Sequence, residues 1–171
     1  TVTSNVILNA FYEAEINRNA VQTSDRIAAR DITVNNSSLV ISNSGSVPIN
    51  GQSFQILQAS GTISGAFSSV TGGGLPPGGT WDTSNLTVNG TIKAILPPSP
   101  VLTNVVSNGG TTLDFSWGTE YIGWRLYAQT NSLAVGLSTN WVPIEGTEGV
   151  NTYQATIEKT NAAVFYRLTY P

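Results

Sequence analysis

Two glutamates set two residues apart, Glu13 and Glu15, are the first side chains here whose spacing could do chemistry. On a strand they point to one face with Cα atoms about 6.5–7 Å apart. An inverting glycosidase holds its two carboxyl groups about 6.5–9.5 Å apart and a retaining one about 5–5.5 Å. The spacing therefore fits the inverting arrangement. Such pairs face each other from separate elements across a cleft, however, and these two share one strand. Two charges on a strand face also guard an exposed edge against pairing, and that is the reading we adopt. Asp25, Asp31 and Asp82 offer oxygen ligands for Ca²⁺, but they match no loop with carboxylates at alternating positions and a closing Glu. Serine and threonine are abundant but lack a base. There is no His, and Lys93 and Lys159 lie in no Ser–Lys motif. Lys93, in the strand after Asn89, lacks the carboxylate an isopeptide bond with asparagine requires and reads as a lysine lying along the surface. No catalytic residue, cofactor or metal site is expected.

Aromatic residues are the better binding candidates. Trp81, Trp124, Trp141, Tyr121, Tyr127 and Tyr153 could form a platform on which a sugar stacks. Trp117 and Trp124 run in phase with Leu113, Phe115 and Leu126 and are expected in a core. Trp81 and Trp141 flank turns, and with Tyr153 they remain the candidates for ligand stacking. Arg125 and Arg167 are expected to stack on tyrosine rings or to pair with Glu120 or Asp114.

Composition narrows the classes. The 171 residues contain no His, Cys or Met, and only 10% are charged, against about 25% in an ordinary soluble domain. Net charge is −3, and the five arginines and two lysines form no basic run, which argues against nucleic acid as a partner. Without cysteine there are no disulfides or thiolate metal sites. The longest apolar candidate, Val6 to Ala14, is broken by Asn9 and Glu13 and falls far short of the ~20 residues a helical membrane span needs. No basic-then-apolar leader opens the sequence, so Thr1-Val2-Thr3-Ser4 reads as a mature N-terminus or an excised start. The 40% hydrophobic fraction is enough for a core.

The elements that would carry these residues are almost all strands. Val6, Leu8, Ala10, Tyr12, Ala14 and Ile16 alternate with Ile7, Asn9, Phe11, Glu13 and Glu15, predicting one strand over Asn5 to Ile16. Further strands are expected at Ile32–Val34, Leu39–Ser42, Ser53–Gln58, Ala66–Val70 and Leu86–Ile95. Between them lie the turn signals Asn43-Ser44-Gly45, Asn50-Gly51, Ser60-Gly61 and Asn89-Gly90. Asn19 to Arg30 is the only stretch readable as a short helix, and its apolar stripe is poor. The glycine-rich run Gly72 to Gly79 has no lysine and no following helix to cradle a phosphate, so it reads as a surface loop. The prolines of Leu96-Pro97-Pro98-Ser99-Pro100 predict a stiff linker over 97–100. This divides a β-rich assembly domain, residues 1–96, from a small fibronectin- or immunoglobulin-like domain, residues 101–171. In the second, an Asn108-Gly109-Gly110 hairpin precedes Leu113, Phe115 and Trp117. Strands are expected at Tyr121–Gln129, Trp141–Ile144, Thr152–Glu158 and Ala163–Tyr170. Sequons begin at Asn35, Asn36, Asn85 and Asn89.

Several runs carry a family likeness: Gly51-Gln52-Ser53-Phe54-Gln55-Ile56-Leu57, Ile63-Ser64-Gly65-Ala66-Phe67, Leu75-Pro76-Pro77-Gly78, and above all Trp81 to Ile92. In the second half Gly123-Trp124-Arg125-Leu126, Thr139-Asn140-Trp141-Val142 and Val164 to Pro171 do the same. Over about residues 12 to 171 the sequence resembles the C-terminal portion of bacterial autotransporter-associated β-strand repeat proteins. That resemblance implies a secreted, bacterial cell-surface or extracellular location; long members of the family carry many upstream repeats expected to stack as a parallel β-solenoid, and this sequence contains none of those repeats. It implies no catalytic residue.

The expected fold class is all-β: a β-solenoid-like or irregular sandwich N-terminal domain followed by a small antiparallel β-sandwich. The expected function is structural and non-enzymatic. The first strand has no upstream mate, so a second copy of the chain would supply one, giving a homopolymeric filament. The strand residues placed at that contact are Val6, Ile7, Leu8, Ala10 and Phe11. The alternative is a carbohydrate-binding or adhesion module with a polysaccharide as partner.

Overall fold

The chain begins as three short strands that never pair with one another: β1 (Val6–Leu8), β2 (Phe11–Ile16) and β3 (Ile27–Ala29). In this computed structural model, which describes residues 4–170, each instead lies parallel to a strand that follows later. The expectations touching Thr1–Thr3 and Pro171 lie outside the described residues. The second pass supplies β4 (Ile32–Asn35), β5 (Ser38–Asn43), β6 (Ser53–Gln55) and β7 (Leu57–Ala59), and the third supplies β8 (Ile63–Ala66) and β9 (Ser69–Gly72). Three parallel ladders result, β1-β4-β8, β2-β5-β9 and β3-β7. Their registers run Val6–Ile32–Ile63, Tyr12–Leu39–Val70 and Ile27–Leu57. Because side chains alternate along a strand, each register line stacks apolar residues inward. Ala14, Ile16, Ile32, Leu39, Ile41, Phe54, Ile56 and Leu57 are buried together in one core.

Corners are held by side chains that bridge successive passes. Asn35 donates through Nδ2 to Asn9 Oδ1 at 2.9 Å. Asp31 Oδ1 accepts the Thr62 N–H at 3.0 Å, and that bond, with Arg30 beside it, lowers the Asp31 carboxyl below its ordinary pKa. The unit closes with β10 (Thr80–Asp82), a single helical turn α1 (Leu86–Asn89) and β11 (Thr91–Ile95). Strands β10, β11 and β6 pair antiparallel, while α1 packs against β7, β8 and β11.

The chain divides into two units, Thr1–Pro97 and Pro98–Pro171. In the second, β12 (Thr103–Ser107), β13 (Thr112–Ser116), β14 (Arg125–Asn131), β15 (Val142–Pro143), β16 (Thr152–Thr156) and β17 (Ala163–Thr169) form two antiparallel three-stranded sheets. Their orders are β12-β13-β16 and β15-β14-β17. Phe115, Trp117, Tyr121, Leu126 and Ala155 are buried between them, with Trp124, Tyr153, Tyr166 and Leu168 packed at the margin. The structure is 46% strand and 6% helix, and among the described residues the small sheets form no closed barrel. Among the described residues no helix is long and apolar enough to cross a membrane.

Several strand expectations need correction. Asn5 to Ile16 is two strands in different sheets, turned at Asn9-Ala10, because the Asn9 side chain is tied to the corner below it. Ser53–Gln58 breaks at Ile56: the N–H groups of Ile56 and Leu57 both donate to the Gly90 carbonyl, which takes Ile56 out of the ladder. Ala66–Val70 is broken by a corner at Phe67-Ser68, between β8 and β9. Leu86–Ile95 is a helical turn followed by a strand, since the Asn85 carbonyl accepts N–H bonds from Val88, Asn89 and Gly90. Gly90, at φ +77°, ends that turn as glycine readily does. Asn19 to Arg30 forms no helix, only a turn and β3. The strand expected over Tyr121–Gln129 begins only at Arg125. A 3₁₀ turn, Thr119–Tyr121, buries the Tyr121 ring, and its hydroxyl donates to the Pro98 carbonyl at 2.9 Å. Ile122, which follows it, is exposed.

Candidate functional site

The first pass carries the site, and its main-chain directions define it. Val6 N–H donates to the Asp31 carbonyl at 2.9 Å, Ser38 N–H to the Ala10 carbonyl at 3.0 Å, and Ser44 N–H to the Ile16 carbonyl at 3.1 Å. Val6, Leu8, Ala10, Tyr12, Ala14 and Ile16 thus turn their N–H and C=O groups toward the second pass. In a parallel ladder the intervening residues turn theirs the opposite way. Ile7, Phe11, Glu13 and Glu15 therefore face away from the one strand that each of β1 and β2 pairs with.

Glu15 is served locally. Asp25 N–H donates to its carbonyl at 2.8 Å, and its own N–H donates to Asp25 Oδ2 at 3.2 Å. Asn17 N–H donates to the Thr23 carbonyl at 2.8 Å. The segment from Thr23 to Asp25 folds back over the C-terminal end of β2 and covers that edge. Upstream, Ile7, Phe11 and Glu13 have no such cover among the described residues. Two of these three residues are apolar, with Ile7 62% and Phe11 63% exposed, and the third is the exposed Glu13.

The five residues placed at the contact from sequence divide by direction. Ile7 and Phe11 point outward beside the open main chain. Val6 and Leu8 are half-buried and pack onto the core. Ala10 sits exposed at the corner. Tyr12, next along, is half-buried, and its hydroxyl donates to the Ile56 carbonyl at 3.1 Å. Burial, with the Asp25 charge adding to it, pushes the Tyr12 pKa up to about 12. Glu13 and Glu15 lie exposed on the outward face of β2, and Ser44 Oγ donates to Glu15 Oε1 at 2.9 Å. Sequence reasoning missed the cover supplied by Thr23 and Asp25. The only local sign of it was the short polar return between two apolar strands.

At the far end of the same core the third pass places Gly65 and Gly72 where earlier passes place Val34 and Ile41. A cavity of about 260 Å³ opens there, lined by Val34, Ile63, Phe67, Val70 and Leu86. Among the described residues, strand β9 pairs with β5 alone.

Of the three ligand-stacking candidates, Trp81 belongs to the first unit and Trp141 and Tyr153 to the second, where Trp141 adjoins one sheet and Tyr153 lies in the other. Trp81 is half-buried on β10, edge-on to Phe54 with centroids 6.0 Å apart. Trp141 lies just before β15, with the Arg167 guanidinium 4.4 Å from its centroid and 5.3 Å from that of Tyr127. Tyr153 is on β16 in the other sheet, against the second core. Arg167 therefore stacks as expected. Arg125 pairs with Glu148 and, at 3.7 Å, with Glu145, replacing the expected Glu120 or Asp114. The turn Thr147–Gly149 carries Glu148 back beside β14. Among the described residues no three acidic, His or Cys side chains gather into a metal cluster. No protein-family model, no curated protein and no solved structure matches this chain.

Proposed function

We propose that this protein is a structural subunit that associates with further copies of itself through the strand edge of the first pass. In this reading the first unit is a short β-solenoid of three turns and the second a small antiparallel sandwich. The assembly is a filament outside the cell or on a bacterial surface. One observation carries the reading: among the described residues the outward main chain of Ile7, Phe11 and Glu13 has no mate, and two of the three exposed side chains there, Ile7 and Phe11, are apolar. An uncovered, apolar strand edge is a template for another strand, and strand addition is a general mode of recognition. With only 10% charged residues the surface has little electrostatic protection against such pairing, and on this edge Glu13 is the one charge, leaving the stretch from Ile7 to Phe11 unguarded. The contact must be heterologous to grow without closing. The edge of β9 facing away from β5 is the candidate second surface, since α1 packs over β7 and β8.

Sedimentation velocity across a rising concentration series, followed by negative-stain microscopy, tests the reading. Concentration-dependent growth into linear particles is expected. A monomer that persists at high concentration overturns it.

A further inference from the structure

The sequence contains three Asn-Gly dipeptides, Asn50-Gly51, Asn89-Gly90 and Asn108-Gly109. In this dipeptide the glycine nitrogen can attack the asparagine side-chain carbon with little hindrance, because no Cβ crowds the approach. A bond forms between that nitrogen and Cγ, and the Cγ–Nδ2 bond breaks. Nδ2 leaves as ammonia, carrying the proton the glycine nitrogen gives up. Water then opens the cyclic imide at either carbonyl, leaving aspartate or isoaspartate. The reaction needs only water, so the fold controls it by holding or freeing the two reacting groups.

Two of the three sites are held at both groups. Gly51 N–H donates to the Ala94 carbonyl at 2.8 Å, and Asn50 Oδ1 accepts the Leu96 N–H at 2.9 Å. Gly90 N–H donates to the Asn85 carbonyl at 3.1 Å. Asn89 Oδ1 accepts from Thr91 N–H at 3.2 Å and from Thr91 Oγ1 at 2.7 Å. A nitrogen already donating, beside an amide whose oxygen is pinned, cannot approach without giving up those bonds.

Asn108-Gly109 differs. It forms the exposed tip between β12 and β13, and the turn is closed around it by Gly110 N–H and Thr111 N–H, both donating to the Ser107 carbonyl. Gly109 N–H makes no hydrogen bond among the described residues, and Asn108 Oδ1 accepts none. Of the side-chain amide only Nδ2 is engaged, donating to Thr112 Oγ1 at 3.0 Å, while the main-chain carbonyl of Asn108 accepts from Thr111 Oγ1 at 2.8 Å. Space around Gly109 is open. Asn108 itself sits at φ 48°, in the left-handed region.

We infer that Asn108 is a self-modifying site, which converts to aspartate and isoaspartate in the folded protein while Asn50 and Asn89 are protected. The product adds one negative charge at the β12–β13 tip, and the isoaspartate form adds a main-chain carbon there. This conclusion does not depend on self-association.

The test is incubation of the folded full chain in mildly alkaline buffer, with peptide mass mapping and enzymatic methylation of isoaspartate. Asn108 is expected to convert on the order of tenfold or more faster than the other two, since each of those must release at least two hydrogen bonds. In concentrated urea the three rates should converge. Asn108→Ser should remove the fast methyl-accepting component and leave the slow ones. Equal native rates at the three sites, or conversion led by Asn50 or Asn89, would overturn the assignment.

Discussion

Gly65 lies so close beneath Val34 that a Cβ on it would sit 1.9 Å from the Val34 carbonyl oxygen. Its φ of +80° is also one that residues with a side chain rarely adopt. Backbone presses on backbone here, so no rotamer change relieves the overlap. Gly65→Ala is expected to destabilise the first unit by about 2 kcal/mol or more. Gly51, at φ +82° with open space around it, is the control. Gly51→Ala should cost only the conformational part, about 1 kcal/mol. Urea unfolding of both variants measures the difference, and equal midpoints would remove the close approach from the explanation.

Inward and outward positions of the first pass should separate cleanly by mutation. Phe11→Asp places a charge beside the open main chain, and its effect on unfolding should stay within about 0.5 kcal/mol, as for most surface changes. It should abolish concentration-dependent sedimentation. Leu8→Asp, on the inward side, should unfold the unit at any concentration because an unpaired charge would face the core. If Phe11→Asp assembles like the parent chain, this edge is not the contact.

Arg167 between the rings of Tyr127 and Trp141 makes a defined prediction in the second unit. Arg167→Lys keeps the charge but loses the flat guanidinium that stacks on both faces. A loss of about 0.5–1 kcal/mol is expected, together with a changed Trp141 emission. Unfolding followed by tryptophan fluorescence reads both, using the parent chain and Trp141→Phe for reference.

Two groups give the pH dependence opposite signs. The Tyr12 pKa is raised to about 12 by burial, so its contribution is complete below the ordinary tyrosine value of 10 and is lost as pH rises through 12. Asp82 is lowered to about 2, first by the Ser84 N–H, then by the Ser84 hydroxyl and Lys93. Lys93 Nζ stands 3.0 Å from its carboxylate. That contribution is present above the ordinary carboxylate value of 3.8 and is lost as pH falls toward 2. Tyr12→Phe should flatten the alkaline limb of a stability–pH curve, and Asp82→Asn the acid limb. A Tyr12→Phe variant with an unchanged alkaline limb would show that another group titrates there.

The alternation along the first pass was readable residue by residue. Val6, Leu8, Tyr12, Ala14 and Ile16 do face the core, and Ile7, Phe11, Glu13 and Glu15 face out, even though the chain turns a corner at Asn9-Ala10. The turn signals at Asn50-Gly51, Asn89-Gly90 and Asn108-Gly109 also fall at turns. Where elements break was not readable. Nothing near Ile56 in the chain says that Gly90 will take its N–H, and nothing near Arg125 says that Glu148 will return to meet it.

The all-β character and the side each residue faces follow from composition and a two-residue period, which are local properties of an extended backbone. Parallel pairing, the corner that splits Asn5 to Ile16, the cover over Glu15 and the freedom of the Gly109 N–H are set by partners far along the chain. Each depends on which distant carbonyl or N–H arrives within about 3 Å, and only the folded chain brings those groups together.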